Sequence, residues 1–241
     1  MTITNANQKK HALQIFNQYS FFWQSKDGLS AVSVADFTAN MQKYFGARIN
    51  KDPQYNVRKL VPYEVDSMMM RFFPGQTRIE LGQSFTNFFH WFDETIAGLQ
   101  TPGQRVLLEC GYIFVSVVNP LLEFLLLRQQ VGTFLIRCSE SMPGKLSVVY
   151  KSGEKSFGKL WLGNDLSPAT FASALRVAPM LTKIARIDTH TMDVVIHSKE
   201  FIVRAFCNHG NAVGSGGGGG GGSNSQGVEQ DGIPTAYRGS I

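Results

Sequence analysis

One arginine lies inside an apolar segment that is followed at once by hydroxyl side chains. Arg137 falls within Thr133–Cys138, and Ser139, Glu140 and Ser141 come directly after it. A buried guanidinium is costly unless it is paired. An arginine fork combined with serine hydroxyls and loop N–H groups makes a typical phosphate site. The sequence therefore indicates a phosphate-binding pocket at the end of a strand.

Two other arrangements of Arg137 remain open from the residues alone. The side chain could extend from an edge strand to solvent, keeping its charged group in water. It could also pair with Glu140, three residues further on. Either arrangement would give the arginine a structural role only.

Catalytic patterns have weaker support. A nucleophile at Cys138 or Ser139 beside Arg137 has no evident base, and no cysteine has the spacing to an arginine that tyrosine phosphatases need. The five histidines show no H-E-x-x-H spacing, and the glycine run 216–222 has no strand before it and no helix after it. We therefore predict a protein that is not an enzyme and needs no cofactor or metal.

Strands and helices are predicted around the arginine. Residues 133–138 and 146–150 are apolar and flank a loop with proline and glycine, which favours a hairpin. A third strand is expected at 157–162. Ser167 followed by proline is typical of a helix start, here at 169–177. Two more short strands are predicted, at 194–196 and 201–206.

The first half of the chain is predicted to be helical. Apolar residues recur with a helical period at 11–22, 34–45 and 84–96. The stretch between the last two contains three prolines and is expected to be less regular. Pro120 is predicted to open a further helix at 121–129.

The composition is typical of a globular protein. Hydrophobic residues make up 43%, enough for a core, and the net charge of +5 permits contact with phosphates without requiring it. The three cysteines are far apart, which favours a reducing compartment. We expect no signal peptide and no membrane insertion, because the start is polar and the most apolar stretch, 111–127, is interrupted by polar residues and a proline.

The end of the chain is predicted to be disordered. Seven consecutive glycines at 216–222, of natural or engineered origin, cannot bury surface. Tyr237 follows, with Arg238 and Gly239 beside it. It could be a phosphorylation site, an unmodified tail tyrosine or an expression remnant.

Several segments resemble one known family. The string G-T-F-L-I-R-C-S-E-S at 132–141 closely resembles the phosphotyrosine-binding strand and loop of SH2 domains, particularly in STAT proteins (signal transducers and activators of transcription). The G-Y-I at 111–113 lies at the same distance upstream as in STAT proteins. F-F-H-W-F-D at 88–93 and D-G-L at 27–29 resemble segments of the STAT linker domain. With the single tail tyrosine, the resemblance covers nearly the whole chain.

The resemblance implies an α+β architecture in three parts. A helical linker domain would occupy 1–108. An SH2 domain with an antiparallel sheet flanked by two helices would occupy 109–208. A flexible Gly-rich tail with a phosphotyrosine site would follow at 209–241.

The resemblance also implies a role for each residue of the pocket. Arg137 would be the phosphotyrosine-binding arginine, Ser139, Glu140 and Ser141 would form the phosphate loop, and Tyr237 would be phosphorylated.

Two positions depart from the STAT pattern. Cys138 stands where phenylalanine is usual, and Asn119 stands where many STATs carry a second phosphate-supporting lysine. Lys145 or Lys155 could compensate for that lysine.

The function implied by the resemblance is a signalling switch. Two chains would form a homodimer by reciprocal exchange of phosphorylated tails, after the action of an upstream tyrosine kinase or receptor. The dimer would move from the cytoplasm to the nucleus and bind DNA through an N-terminal part that this sequence lacks. The alternative is an adaptor whose SH2-like domain binds phosphotyrosine on other proteins.

Overall fold

A computed structural model describes residues 31–50, 58–80, 82–162 and 167–210, with side chains of the last helix described as far as Arg204. Four sequence predictions lie outside these residues. They are the helix at 11–22, the linker-like segment at 27–29, the glycine run and Tyr237.

A helical region forms the first part of the described chain. Its helices are α1 (Val34–Ile49), α2 (Pro62–Phe72), α3 (Gln83–Leu99) and α4 (Pro102–Glu109). A short antiparallel pair, β1 (Ala31–Ser33) and β2 (Arg78–Glu80), lies beside them. The helices predicted at 34–45 and 84–96 are confirmed as α1 and α3. Ser33 caps α1, because its hydroxyl accepts the N–H of Asp36 at 3.1 Å.

Aromatic side chains fill the core of the helical region. The ring of Phe37 lies 5.1 Å from that of Phe73 and 5.2 Å from that of Phe88, both edge to face. The rings of Phe88 and Phe92 lie 5.2 Å apart in a stacked arrangement. Such pairs contribute about 0.5–1.5 kcal/mol each beyond their burial. These rings belong to a core that the helical region shares with the sheet.

A mixed sheet forms the second part. Its strands are β3 (Ile113–Phe114), β4 (Thr133–Cys138), β5 (Leu146–Lys151), β6 (Phe157–Trp161), β7 (Lys183–Ile187) and β8 (Val194–Ser198). The order is β6-β5-β4-β7-β8, with β3 paired to β4. The β4–β5, β5–β6 and β7–β8 pairs are antiparallel, and β4 pairs with β3 and β7 in parallel. The predicted hairpin and third strand are confirmed.

Helices cover both faces of this sheet. They are α5 (Asn119–Leu127), α6 (Pro168–Arg176) and, after β8, α7 (Lys199–Gly210). Alternate residues of β4 point to opposite faces. Leu135 packs with Leu122 of α5, whereas Phe134 packs with Phe171 of α6 in a core shared with the helical region. The predicted α+β class is confirmed, but the sheet is mixed, because β4 pairs in parallel with β3 and β7.

Three helices (α2, α4 and α7) and four strands (β1, β2, β3 and β7) were not predicted, and one predicted strand is wrong. Residues 201–206 lie in α7, because the hydroxyl of Ser198 accepts the N–H of Phe201 at 3.3 Å and starts a helix. The stretch with three prolines was expected to be less regular, yet α2 begins at Pro62, because proline is tolerated in a first helical turn. The short strand β3 and the strand β7, with basic residues at its first and fourth positions, gave no clear signal.

Candidate phosphate-binding pocket

Arg137 lies on the central strand of the sheet. It is opposite Ser147 of β5 on one side and Phe114 of β3 on the other. It is two residues from Leu135 and so faces the side covered by α5. Arg137 is therefore not on an edge strand, which rules out the first alternative that the sequence left open.

The guanidinium of Arg137 is held by three groups. Its Nη1 donates to the carbonyl of Val117 and to Oε1 of Glu140, the latter at 2.5 Å. Its Nη2 donates to Oδ1 of Asn119 at 3.2 Å. Its Nε is buried and has no hydrogen-bond partner among the described residues. Asn119 thus supports the arginine as an acceptor and brings no positive charge.

The pair with Glu140 is asymmetric in its burial. The Arg137 side chain is 7% exposed, whereas that of Glu140 is 32% exposed. The second alternative, pairing with Glu140, is therefore present in the structure. The Glu140 carboxylate is thus the more solvent-exposed partner of the pair.

The loop after β4 is closed by its own hydrogen bonds. The N–H of Ser139 donates to the carbonyl of Lys145 at 2.7 Å, and the hydroxyl of Ser139 accepts the N–H of Met142 at 3.0 Å. Ser139 is buried and Ser141 is exposed. The structure thus brings Arg137, Ser139 and Glu140 together, with Ser141 at the outer end of the loop.

Side chains of the helical region donate hydrogen bonds to the backbone of this loop. Nε1 of Trp91 donates to the carbonyl of Ser139 at 3.0 Å, and Nη2 of Arg71 donates to the carbonyl of Glu140. A Cβ at Gly98 of α3 would lie 2.6 Å from the carbonyl oxygen of Gly144, so only glycine allows this approach. Sequence reasoning missed both supporting side chains. Trp91 lies in the aromatic segment at 88–93, but nothing in the pattern around Arg71 pointed to the loop.

A second cation near the pocket was also missed. Lys159 on β6 is opposite Val149, which is opposite Leu135, so it is on the same face as Arg137. Burial and the charge of Arg137 lower the pKa of Lys159, and Glu140 acts in the opposite direction. Its Nζ lies 4.0 Å from the ring centroid of Trp161. Alternation along a strand could have suggested Lys159 once the sheet register was known.

The two lysines predicted to replace the missing phosphate-supporting lysine lie in the turns before and after β5. Lys155 is exposed in the turn between β5 and β6. Lys145 is half-buried, and its carbonyl closes the loop after β4. Neither position bears on whether these side chains reach a bound phosphate, so that suggestion stays a prediction.

Cys138 faces away from the pocket. It belongs to the core shared with the helical region, together with Ile136 and Val148. Burial, followed by the charge of Glu64, raises the pKa of its thiol. A neutral, buried thiol is a packing group and a poor nucleophile.

Neither a metal cluster nor a membrane span appears in the parts of the chain that the structure describes. Within 31–50, 58–80, 82–162 and 167–210, no group of three or more His, Cys, Asp or Glu side chains could hold a metal ion. Over the same ranges, no helix has the length and apolar character needed to cross a bilayer.

Comparison with known proteins identifies two curated relatives from Dictyostelium discoideum. Signal transducer and activator of transcription B is 29% identical over 141 residues, or 58% of this chain and 12% of that protein. Signal transducer and activator of transcription A is 30% identical over 130 residues, or 52% of this chain and 18% of that protein. The chain therefore spans less than a fifth of the length of these curated relatives. No family model matches the chain.

One solved structure also matches most of this chain, but the likeness is weak. The inactive choanoflagellate E3 ubiquitin ligase Cbl TKB covers 88% of this chain, and the match covers 57% of that chain, with 9% identity and a TM-score of 0.29. Such a low TM-score carries no argument about fold or function. The sequence similarity to the two Dictyostelium proteins supports a relation of this chain to the STAT family.

Proposed function

We propose that this chain is the phosphotyrosine-binding and dimerisation part of a STAT-like signalling transcription factor. Its helical linker domain would span 1–108, its SH2 domain 109–208 and its tail 209–241. Arg137 would bind the phosphate, with Ser139, Glu140 and Ser141 forming the loop around it. Tyr237 would be the phosphorylated residue.

The burial of Arg137 behind a half-exposed carboxylate is the observation that carries the proposal. Among the described residues, the acceptors that its guanidinium meets in the interior are neutral and come from Val117 and Asn119. Its anionic partner in this part of the chain, Glu140, is 32% exposed. An anion from solvent can therefore take the place of the Glu140 carboxylate while Val117 and Asn119 keep their hydrogen bonds to Arg137.

A tyrosine phosphate suits this exchange better than a carboxylate does. It carries about −1.5 to −2 charges and three strong acceptor oxygens. A guanidinium binds such oxygens in a bidentate manner. The unpartnered Nε of Arg137 is a donor that the carboxylate leaves unused.

The dimer follows if the pocket and its ligand belong to the same chain. Two chains that exchange tails form an isologous dimer, in which the first contact makes the second effectively intramolecular. An upstream tyrosine kinase or receptor would start the exchange. The dimer would then move from the cytoplasm to the nucleus and bind DNA through a part that precedes this chain.

A non-enzymatic role also has physical support. The thiol of Cys138 is buried with a raised pKa, and the hydroxyl of Ser139 accepts a backbone N–H of its own loop. Neither group is activated as a nucleophile. Both residues lie beside Arg137 in sequence, so they were the strongest catalytic candidates.

The test is a titration of the full chain with a peptide of residues 231–241 phosphorylated at Tyr237. We expect saturable binding that needs the phosphate. We expect Arg137→Ala to weaken it by about 2–5 kcal/mol, as for loss of one partner of a desolvated charge pair. Arg128→Ala, which removes an arginine near Phe124 on the outside of α5, serves as the matched control. Equal affinity of wild type and Arg137→Ala would contradict the assignment.

A further inference from the structure

Glu140 is bound at both of its ends by guanidinium groups from two regions of the molecule. Its carboxylate accepts a hydrogen bond from Arg137 of β4 at 2.5 Å. Its backbone carbonyl accepts one from Nη2 of Arg71, which belongs to α2. The two arginines therefore lie on either side of one loop residue.

The guanidinium of Arg71 is fixed in position. Its Cζ lies 4.4 Å from the ring centroid of Phe72 and 4.8 Å from that of Trp91. Cation–π contacts of this kind contribute roughly 0.5–2 kcal/mol, depending on desolvation. Its Nη1 is buried and has no hydrogen-bond partner among the described residues. Arg71 thus keeps an unused donor in a rigid setting.

Arg71 and Lys159 each respond to the charges of Arg137 and Glu140. Burial lowers the pKa of Arg71 most, Glu140 raises it, and Arg137 lowers it further. Lys159 responds to the same two charges in the same directions. The three cations therefore share a single carboxylate, that of Glu140.

The formal charges of this cluster do not balance. Three cations and one carboxylate leave a net charge of +2, and like charges held close together repel. A tyrosine phosphate brings about −1.5 to −2 charges. A singly charged anion would neutralise only half of the excess. The cluster is therefore matched to a dianion.

We propose that Arg71 supplies a second guanidinium to the phosphate pocket, so that the helical region completes a site built mainly on the sheet. This inference rests on the proposed function of Arg137. It assigns to α2 a part in selecting the doubly charged phosphate of phosphotyrosine. Asn119, which accepts from Arg137, does not supply this charge.

The experiment compares two peptides of residues 231–241 that differ in one group. One carries a phosphate on Tyr237 and the other a sulfate, which has a single negative charge. Both are titrated into the full-length wild type and into Arg71→Gln, Arg71→Lys and Arg137→Ala. Arg78→Gln is the matched control, because it also removes an arginine that donates to a backbone carbonyl in the helical region. Urea unfolding of each variant checks that it is folded.

We expect Arg71→Gln to weaken phosphopeptide binding about tenfold or more, as for loss of a charged hydrogen-bond partner. The ratio of phosphate to sulfate affinity should fall by about fourfold or more, because one charge is lost near a dianion. Arg71→Lys should keep most of that ratio, since it keeps the charge. Arg78→Gln should leave the ratio unchanged.

Four outcomes would overturn the inference. Equal weakening of both peptides by Arg71→Gln would mean that Arg71 only supports the loop. An equal change of the ratio in Arg78→Gln would mean that general charge is responsible. If wild type binds neither peptide, the proposed function itself fails. If Arg137→Ala abolishes phosphopeptide binding and Arg71→Gln does not change its affinity, the proposed function stands and this inference alone is wrong.

Discussion

Two buried arginines in this chain each pair with a glutamate, and the two pairs are built differently. Arg58 binds both oxygens of Glu64, at 2.8 and 2.7 Å, and the two side chains are 1% and 0% exposed. Arg137 binds Glu140 through one nitrogen, and that glutamate is 32% exposed. The first carboxylate is enclosed by protein, whereas the second lies at the surface.

The enclosed pair connects the helical region to the sheet. Glu64 also accepts the N–H groups of Val61 and Val115, at 3.0 and 2.7 Å, and Arg58 donates to the carbonyl of Ile113 at 2.8 Å. These bonds join the start of α2 to β3 and the residue after it. Every oxygen of Glu64 is thus engaged, as a structural ion pair requires. Under the proposed function, the exposure of the counter-ion, more than the burial of the arginine, distinguishes the pair that would accept a ligand.

The largest expected effect comes from breaking the enclosed pair. Glu64→Ala leaves Arg58 charged and buried, so we expect the free energy of unfolding to fall by about 3–5 kcal/mol. Urea unfolding followed by circular dichroism measures it. The matched variant Glu140→Ala should cost less, because that carboxylate is 32% exposed and Arg137 keeps the carbonyl of Val117 and Oδ1 of Asn119 as acceptors. Similar losses in the two variants would break the comparison.

The next effect concerns the shape of the cation in the pocket. Arg137→Lys keeps the charge but loses the fork whose two Nη atoms contact separate groups. We expect phosphopeptide binding to weaken by about 1.5–3 kcal/mol, the range for hydrogen bonds to charged groups. Isothermal titration calorimetry measures the affinity. Full binding by the lysine variant would show that charge alone suffices.

A smaller effect is expected where the helical region supports the loop. Trp91→Phe keeps an aromatic ring but removes the donor to the buried carbonyl of Ser139, which should cost about 1 kcal/mol of unfolding free energy. The affinity of Trp91→Phe for the phosphopeptide should also fall, because the loop after β4 loses this support. Trp161→Phe, at a half-exposed tryptophan on β6, is the control and should change stability less. The opposite order would contradict a supporting role for Trp91.

The smallest effect is a gain. Glu140→Gln removes the anion that competes with phosphate for Arg137, so affinity for the phosphopeptide should rise by up to about 1 kcal/mol. Glu154→Gln, an exposed glutamate in the turn between β5 and β6, should leave the affinity unchanged. Calorimetric titration separates the two variants. A loss of affinity in Glu140→Gln would mean that the glutamate helps to hold the bound peptide.

Local patterns predicted the elements around the pocket well. The apolar run of β4 and the loop at 139–144 were predicted because strand and turn signals lie next to each other in sequence. The predicted helix start at Ser167 is equally local and is confirmed, because its hydroxyl caps α6. The placement of Arg137 in a strand is confirmed, while its binding of phosphate stays a prediction.

Long-range contacts could not be predicted from the same patterns. Arg71 and Trp91 reach the loop from helices far earlier in the chain, so no spacing rule connects them to it. Lys159 faces the pocket only because β6 pairs with β5 in one particular register. The strand predicted at 201–206 was wrong because its apolar run fits a helix equally well once Ser198 caps it.

The most direct test of the account is the molar mass of the full chain in solution, before and after stoichiometric phosphorylation of Tyr237. The account predicts a monomer that becomes a dimer on phosphorylation, and Arg137→Ala should remain a monomer in both states. Arg128→Ala should dimerise like the wild type. A phosphorylated wild-type chain that stays monomeric, or an Arg137→Ala variant that still dimerises, would contradict the account.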